Sequence, residues 1–146
     1  MFGQFLQRLT TNDPEPLTTY DARLALMALL VRLAKSDGHY DTFEVARITT
    51  IAEERYGLDP TAAKALREEA ETLEAEAPDT VRFTRAIKES VVYEDRVEVI
   101  EALWQVALAD GSREAEEDAL IRLAANLLGV KDVDSAMARQ RVARRG

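Results

Sequence analysis

The side chains best equipped for chemistry are acidic, and they come in two matched sets. Asp37, Asp41 and Glu44 form the first; Asp110, Glu114 and Glu117 repeat the same spacing 73 residues later, with Glu116 beside them. Clustered carboxylates are what a hard cation such as Ca²⁺ or Mg²⁺ selects, because its ligands are oxygen. Each set alone falls short of the roughly 6–8 oxygens that calcium prefers, so water and backbone carbonyls would have to complete the shell. With both loops at one end of the fold, these carboxylates would repel one another, and Lys35, Arg113 or a bound cation would have to compensate. The same residues also have a purely structural use. Asp41-x-x-Glu44 and Glu114-x-x-Glu117 have capping-box spacing, and acids in a first helical turn suit the helix dipole. Asp37-Gly38 and Asp110-Gly111 suit the tight end of a preceding helix, with glycine at positive φ. An EF-hand does not fit: counted from Asp37, the sixth and twelfth positions hold Thr42 and Ile48 instead of glycine and glutamate.

Other chemistry is scarce. His39 is the single histidine and falls in a loop, the glycines are scattered rather than gathered around a phosphate, and there is no cysteine. The enzymatic alternative is metal-assisted hydrolysis by the paired carboxylates, with His39, Ser36, Ser112 and Arg113 the other functional groups in the loops.

Helices must position these loops, and the chain builds that arrangement twice. A shift of 73 lays Tyr20–Ile48 on Tyr93–Ile121 without a gap. The identical pairs are Tyr20/Tyr93, Arg23/Arg96, Leu30/Leu103, Ala34/Ala107, Asp37/Asp110, Gly38/Gly111, Glu44/Glu117, Ala46/Ala119 and Ile48/Ile121. Such self-similarity is the mark of an internal duplication. The helix from Thr18, with a capping-box-like start at Thr18 and Asp21, is apolar almost all round through Leu24, Leu26, Met27, Leu29, Leu30, Val31 and Leu33; a helix without a polar face belongs at the centre. Its counterpart from Tyr93 sets Glu98, Glu101 and Gln105 opposite Val97, Ile100, Leu103, Trp104 and Ala107, which makes Trp104 a core residue.

The next helices carry stripes of Val45, Ile48, Ala52 and Tyr56, ending at Gly57, and of Leu120, Leu123, Ala124 and Leu127, ending at Gly129. Asp59-Pro60 starts a further helix with an N-cap and a proline at its first position; Ala62, Leu66, Ala70 and Leu73 face inward, and Glu68, Glu69, Glu71, Glu74 and Glu76 form a solvated outer face. Pro78-Asp79 restarts the chain into a linking helix marked by Phe83, Ile87 and Val91. Asp132 or Asp134 caps a last helix containing Val133 and Met137, followed by Arg139, Arg141, Arg144 and Arg145, either a frayed basic tail or a segment docked on an acidic surface. Phe2, Phe5, Leu6 and Leu9 suggest a short packing helix before the Thr11–Pro16 breaker.

With 47% apolar and 32% charged residues in 146, the chain reads as one soluble globular domain. A net charge of −8 argues against nucleic acid as a partner. The longest apolar run, Leu24–Ala34, is broken by Arg32 and is too short to span a bilayer. The amino terminus lacks the basic flank and apolar core of a signal peptide, so the expected location is the cytoplasm.

At the two loops the sequence resembles the TerB-like family, the tellurite-resistance B group, which includes the amino-terminal domain of DjlA-type membrane co-chaperones. Ala34-Lys35-Ser36-Asp37-Gly38 with Glu44 and Gly57, then Ala109-Asp110-Gly111 with Glu117 and Gly129, carry the resemblance, which covers Tyr20 to about Asp134. Ser36 departs from the family's alanine, and Arg113 from a usual small apolar residue. The resemblance implies an all-α, non-enzymatic domain in stress or tellurite-resistance systems, with protein partners at the inner face of the membrane. It also implies that Asp37, Asp41, Glu44, Asp110, Glu114 and Glu117 bind a divalent metal.

The expectation is therefore an all-α, compact bundle of about seven helices. Its two halves are related by a pseudo-twofold axis, each with a helix–Asp-Gly loop–helix unit. Residues 1–17 form a helix and linker, 18–77 and 78–135 the halves, and 136–146 a basic tail of the same single domain.

Overall fold

The computed structural model describes residues 19–36, 38–77, 80–109 and 115–145, the side chains of 19–21, 115, 116 and 145 excepted. The expected amino-terminal helix, the Thr18/Asp21 start, the Pro78-Asp79 restart and much of the second loop lie outside them. Seven helices and no strand appear among the described residues: α1 (Thr19–Lys35), α2 (Thr42–Tyr56), α3 (Pro60–Glu76), α4 (Val81–Ser90), α5 (Tyr93–Ala107), α6 (Ala115–Leu128) and α7 (Asp132–Arg145).

α1 is the axis of the bundle. From Leu24 to Ala34 every residue but Arg32 is buried, as its unbroken apolar circumference requires. It packs against α2, α3, α4, α5 and α6, while α7 packs on α5. Phe83 and Ile87 of α4, Ile100 and Leu103 of α5 and Leu73 of α3 complete the core, and Trp104 joins it at 7% exposure. The local start and stop signals also hold. Asp59 accepts a 2.8 Å hydrogen bond from the Ala62 amide ahead of Pro60, and Gly57 and Gly129 close α2 and α6 at φ 63° and 71°.

Three expectations need correction. On α6 the inward positions are Ile121, Ala124, Ala125 and Leu128, whereas Leu123 is 46% exposed; the buried stripe lies one residue further along than expected. The buried stripe of α2 likewise takes in Ile51, with Val45 only half-buried. Asp132 and Asp134 lie within the first turn of α7, not before it. The arginine-rich end of the chain is helical: Arg141 Nε meets Glu101 Oε2 at 3.2 Å, and the Arg139 guanidinium lies 5.5 Å from the Trp104 ring centroid.

Candidate functional site

The first acidic loop is fixed at both ends. At the end of α1 the Ser36 hydroxyl donates to Leu33 O at 2.7 Å and the Gly38 amide to Lys35 O at 3.0 Å. Gly38 then turns the chain at φ 87°, in the left-handed region where a Cβ is penalised. At the start of α2, Asp41 and Glu44 form a complete capping box. Asp41 Oδ1 accepts from the Glu44 amide at 2.9 Å, and Glu44 Oε1 accepts from the Asp41 amide at 3.3 Å. Glu44 is thereby 4% exposed, while its neighbour Phe43 stands out at 67%.

Between these ends Tyr40 ties the loop to α3. Its hydroxyl donates to Glu71 Oε2 at 2.6 Å, and Arg67 Nη1 donates to the same oxygen at 2.7 Å while its Nε donates to the Thr49 hydroxyl. Burial, then the hydrogen bond and charge of Glu71, push the Tyr40 phenol far above its ordinary value. Burial works against the Arg67 charge, but Glu71 and Tyr40 outweigh it and raise the guanidinium.

A second cluster lies beneath. Glu74 accepts from Arg32 Nε at 3.0 Å and from Lys35 Nζ at 2.9 Å, and Arg32 Nη2 also donates to the Glu74 and Ala77 carbonyls at the end of α3. Arg32 so satisfies carbonyls that a helix end otherwise leaves without partners. Burial alone would raise the Glu74 carboxyl, yet the hydrogen bonds and charges of Lys35 and Arg32 hold it below its ordinary value. The expected solvated face of α3 is thus corrected: Glu71 and Glu74 are the anchors that hold α1 and the first loop. A sequence signal for them existed. A lone arginine on an otherwise apolar central helix must meet an acid, since a buried charge without a partner is too costly.

Of the six acids singled out in the sequence, Asp41, Glu44 and Glu117 are among the described residues; Asp37, Asp110 and Glu114 are not, nor is Gly111. Asp41 and Glu44 are brought together by the capping box, and Glu117 is 4% exposed on the first turns of α6. Among the described residues no group of three or more histidines, cysteines and acids is placed to hold a metal ion. A separate groove of about 730 Å³ lies between α1, α2, α4 and α5, with Arg23, Glu54, Arg55, Tyr56, Asp95 and Glu98 among its lining.

Helices packed around one apolar helix, with an acidic helix–loop–helix segment stitched to the third, define a small all-α bundle protein. Residues 23–140 match the tellurite resistance protein TerB family, and the chain belongs to that family. No curated protein and no solved structure matches it significantly. No helix among the described residues is long and apolar enough to cross a membrane.

Proposed function

We propose that this TerB-family chain is a non-enzymatic binding module of stress or tellurite-resistance systems, whose paired acidic loops take a divalent cation. Asp37, Asp41, Glu44, Asp110, Glu114 and Glu117 supply the carboxylates, and Ca²⁺ or Mg²⁺ suits an all-oxygen donor set. The observation that carries this reading is the equivalent placement of Glu44 and Glu117 under the 73-residue shift, each near the start of its helix and each 4% exposed, with Asp41 joined to Glu44 by the capping box. The described carboxylates do not complete a shell by themselves, so the reading requires Asp37, Asp110 and Glu114 to join them.

A pseudo-twofold relation between the halves would bring the loops to one end of the bundle. It is supported by the equivalent arginines: Arg23 lies 4.6 Å over the Tyr56 ring at the end of α2, and Arg96 Nη1 donates to Leu128 O at the end of α6, at 2.7 Å. The partners are proteins in the cytoplasm or at the inner face of the membrane; the net charge of −8 disfavours nucleic acid.

The test is a titration with Ca²⁺ or Mg²⁺ followed by melting temperature, since a ligand selective for the folded state raises it. Binding is expected to be weak, with a Kd of about 10⁻⁴ to 10⁻³ M. The shift should vanish in Asp37→Asn with Glu44→Gln. An unmoved melting temperature at roughly 10 mM of either ion would leave the acids as helix caps. Chelator-sensitive turnover of a phosphoester would overturn the non-enzymatic part.

A further inference from the structure

The groove between α1, α2, α4 and α5 brings two like charges to one ring. Arg23 of α1 lays its guanidinium 4.6 Å from the Tyr56 ring centroid, and Arg55 of α2 meets the hydroxyl of the same phenol. The other contact of Arg55 is the Glu98 carbonyl, at 3.5 Å beyond the range of a good hydrogen bond. Arg23 makes no hydrogen bond among the described residues, and its Nε is buried. Its equivalent in the second half is served: Arg96 Nη1 donates to Leu128 O at 2.7 Å. No carboxylate among the described residues pairs with Arg23 or Arg55, although both are half-buried. Two guanidiniums held at one ring repel each other and keep donors unused; a carboxylate accepting from both relieves the two faults together.

Acids line the same groove. Glu54, Asp95 and Glu98 are exposed there, and none of the three forms an ion pair among the described residues. Three carboxylates disfavour phosphate or any multiply charged anion, while the two arginines disfavour a bare cation. A molecule with one charge of each sign suits both sets. Leu26, Ile51, Ile87 and Val99, all buried, add apolar wall. The volume of about 730 Å³ falls within the roughly 300–1,000 Å³ of small-molecule sites.

We propose that this groove binds a zwitterionic amino compound, a free apolar amino acid or a short peptide. Its carboxylate sits on Arg23 and Arg55, its ammonium on Asp95 and Glu98, and its side chain against the apolar wall. The planar arginine fork suits a carboxylate better than a lysine would. None of these residues belongs to the acidic loops, so the inference is independent of the cation reading.

The test is a chemical-shift titration of the full chain, free of divalent cations, with leucine, with leucyl-phenylalanine, and with that dipeptide N-acetylated or C-amidated. The free dipeptide should give saturable shifts at the groove, with a Kd of about 10⁻⁵ to 10⁻³ M. Each cap removes one charge and should weaken binding about tenfold or more. In Arg55→Gln the amide cap should cease to matter, and in Asp95→Asn with Glu98→Gln the acetyl cap should. These positions are exposed or half-buried, so the circular dichroism melts should stay close to that of the original chain. Leucine binding as tightly as the dipeptide would assign an amino acid; a dipeptide about tenfold tighter would assign a peptide. No saturable shift from either at about 10 mM would overturn the proposal. So would capped forms that bind as well as the free one, or variants that keep the full effect of both caps.

Discussion

α1 and α5 overlie one another under the 73-residue shift of the sequence, yet they sit in different surroundings. Both place a leucine at full burial at the same point, Leu30 and Leu103. Around that shared point they diverge. α1 is enclosed on every side, and its one charged residue along Leu24–Ala34, Arg32, had to be met inside the protein by Glu74. α5 keeps Glu94, Asp95 and Glu98 exposed, and the residue matching Arg32 is the half-buried Gln105. The lesson is that two helices of matching sequence can share packing positions while their surroundings decide what every other position costs. Around α1 the Arg32–Glu74 pair is an internal anchor, its side chains 19% and 11% exposed, whereas the Arg141–Glu101 pair on α5 has its arginine 37% exposed.

This contrast can be broken or sharpened by substitution, taken from the largest effect down. Glu74→Ala leaves Arg32 without its carboxylate and should cost about 3 kcal/mol in denaturant unfolding, the lower end for a broken buried pair. A loss below about 1 kcal/mol would show that Arg32 is satisfied by the α3 carbonyls alone. Tyr40→Phe removes a hydrogen bond to a charged acceptor and should cost about 1.5 kcal/mol, with the loop becoming more open to proteolysis. Gly38→Ala should cost about 1 kcal/mol, since its φ of 87° suits only glycine well; an unchanged melting temperature would remove that claim. Gln105→Ala, at the counterpart of Arg32, should stay within about 0.5 kcal/mol.

The acid limb of stability separates the same regions. Glu74 has a folded-state pKa below its ordinary 4.5, so its contribution is present above that value and is lost as pH falls through the folded pKa. Below about pH 4.5 the original chain should therefore lose stability more steeply than Glu74→Gln. Parallel acid limbs would mean that other carboxylates carry the effect.

Much of this fold was legible because its signals are local. The apolar run from Leu24 to Leu33, the Asp59-Pro60 start and the glycines at 57 and 129 each fix backbone or burial without reference to distant residues. The Asp41/Glu44 capping box was readable for the same reason. What escaped were contacts set by the crossing of helices. Glu71 and Glu74 sit on a strip of acids that reads as solvated, and only the packing of α3 on α1 brings them under Tyr40, Arg32 and Lys35. The one-residue error on α6 has a similar origin. Leu120, Ile121, Leu123, Ala124, Leu127 and Leu128 are apolar on too wide an arc for periodicity alone to choose which edge turns inward.

The enclosure of α1 also orders the molecule in time. A helix walled in by five others can release its amide protons to solvent only when the whole bundle comes apart, so its slowest hydrogens should exchange at the free energy of global unfolding. α7, which packs chiefly on one neighbour, can detach and re-dock without disturbing that centre, and its amides should exchange through smaller, more frequent openings.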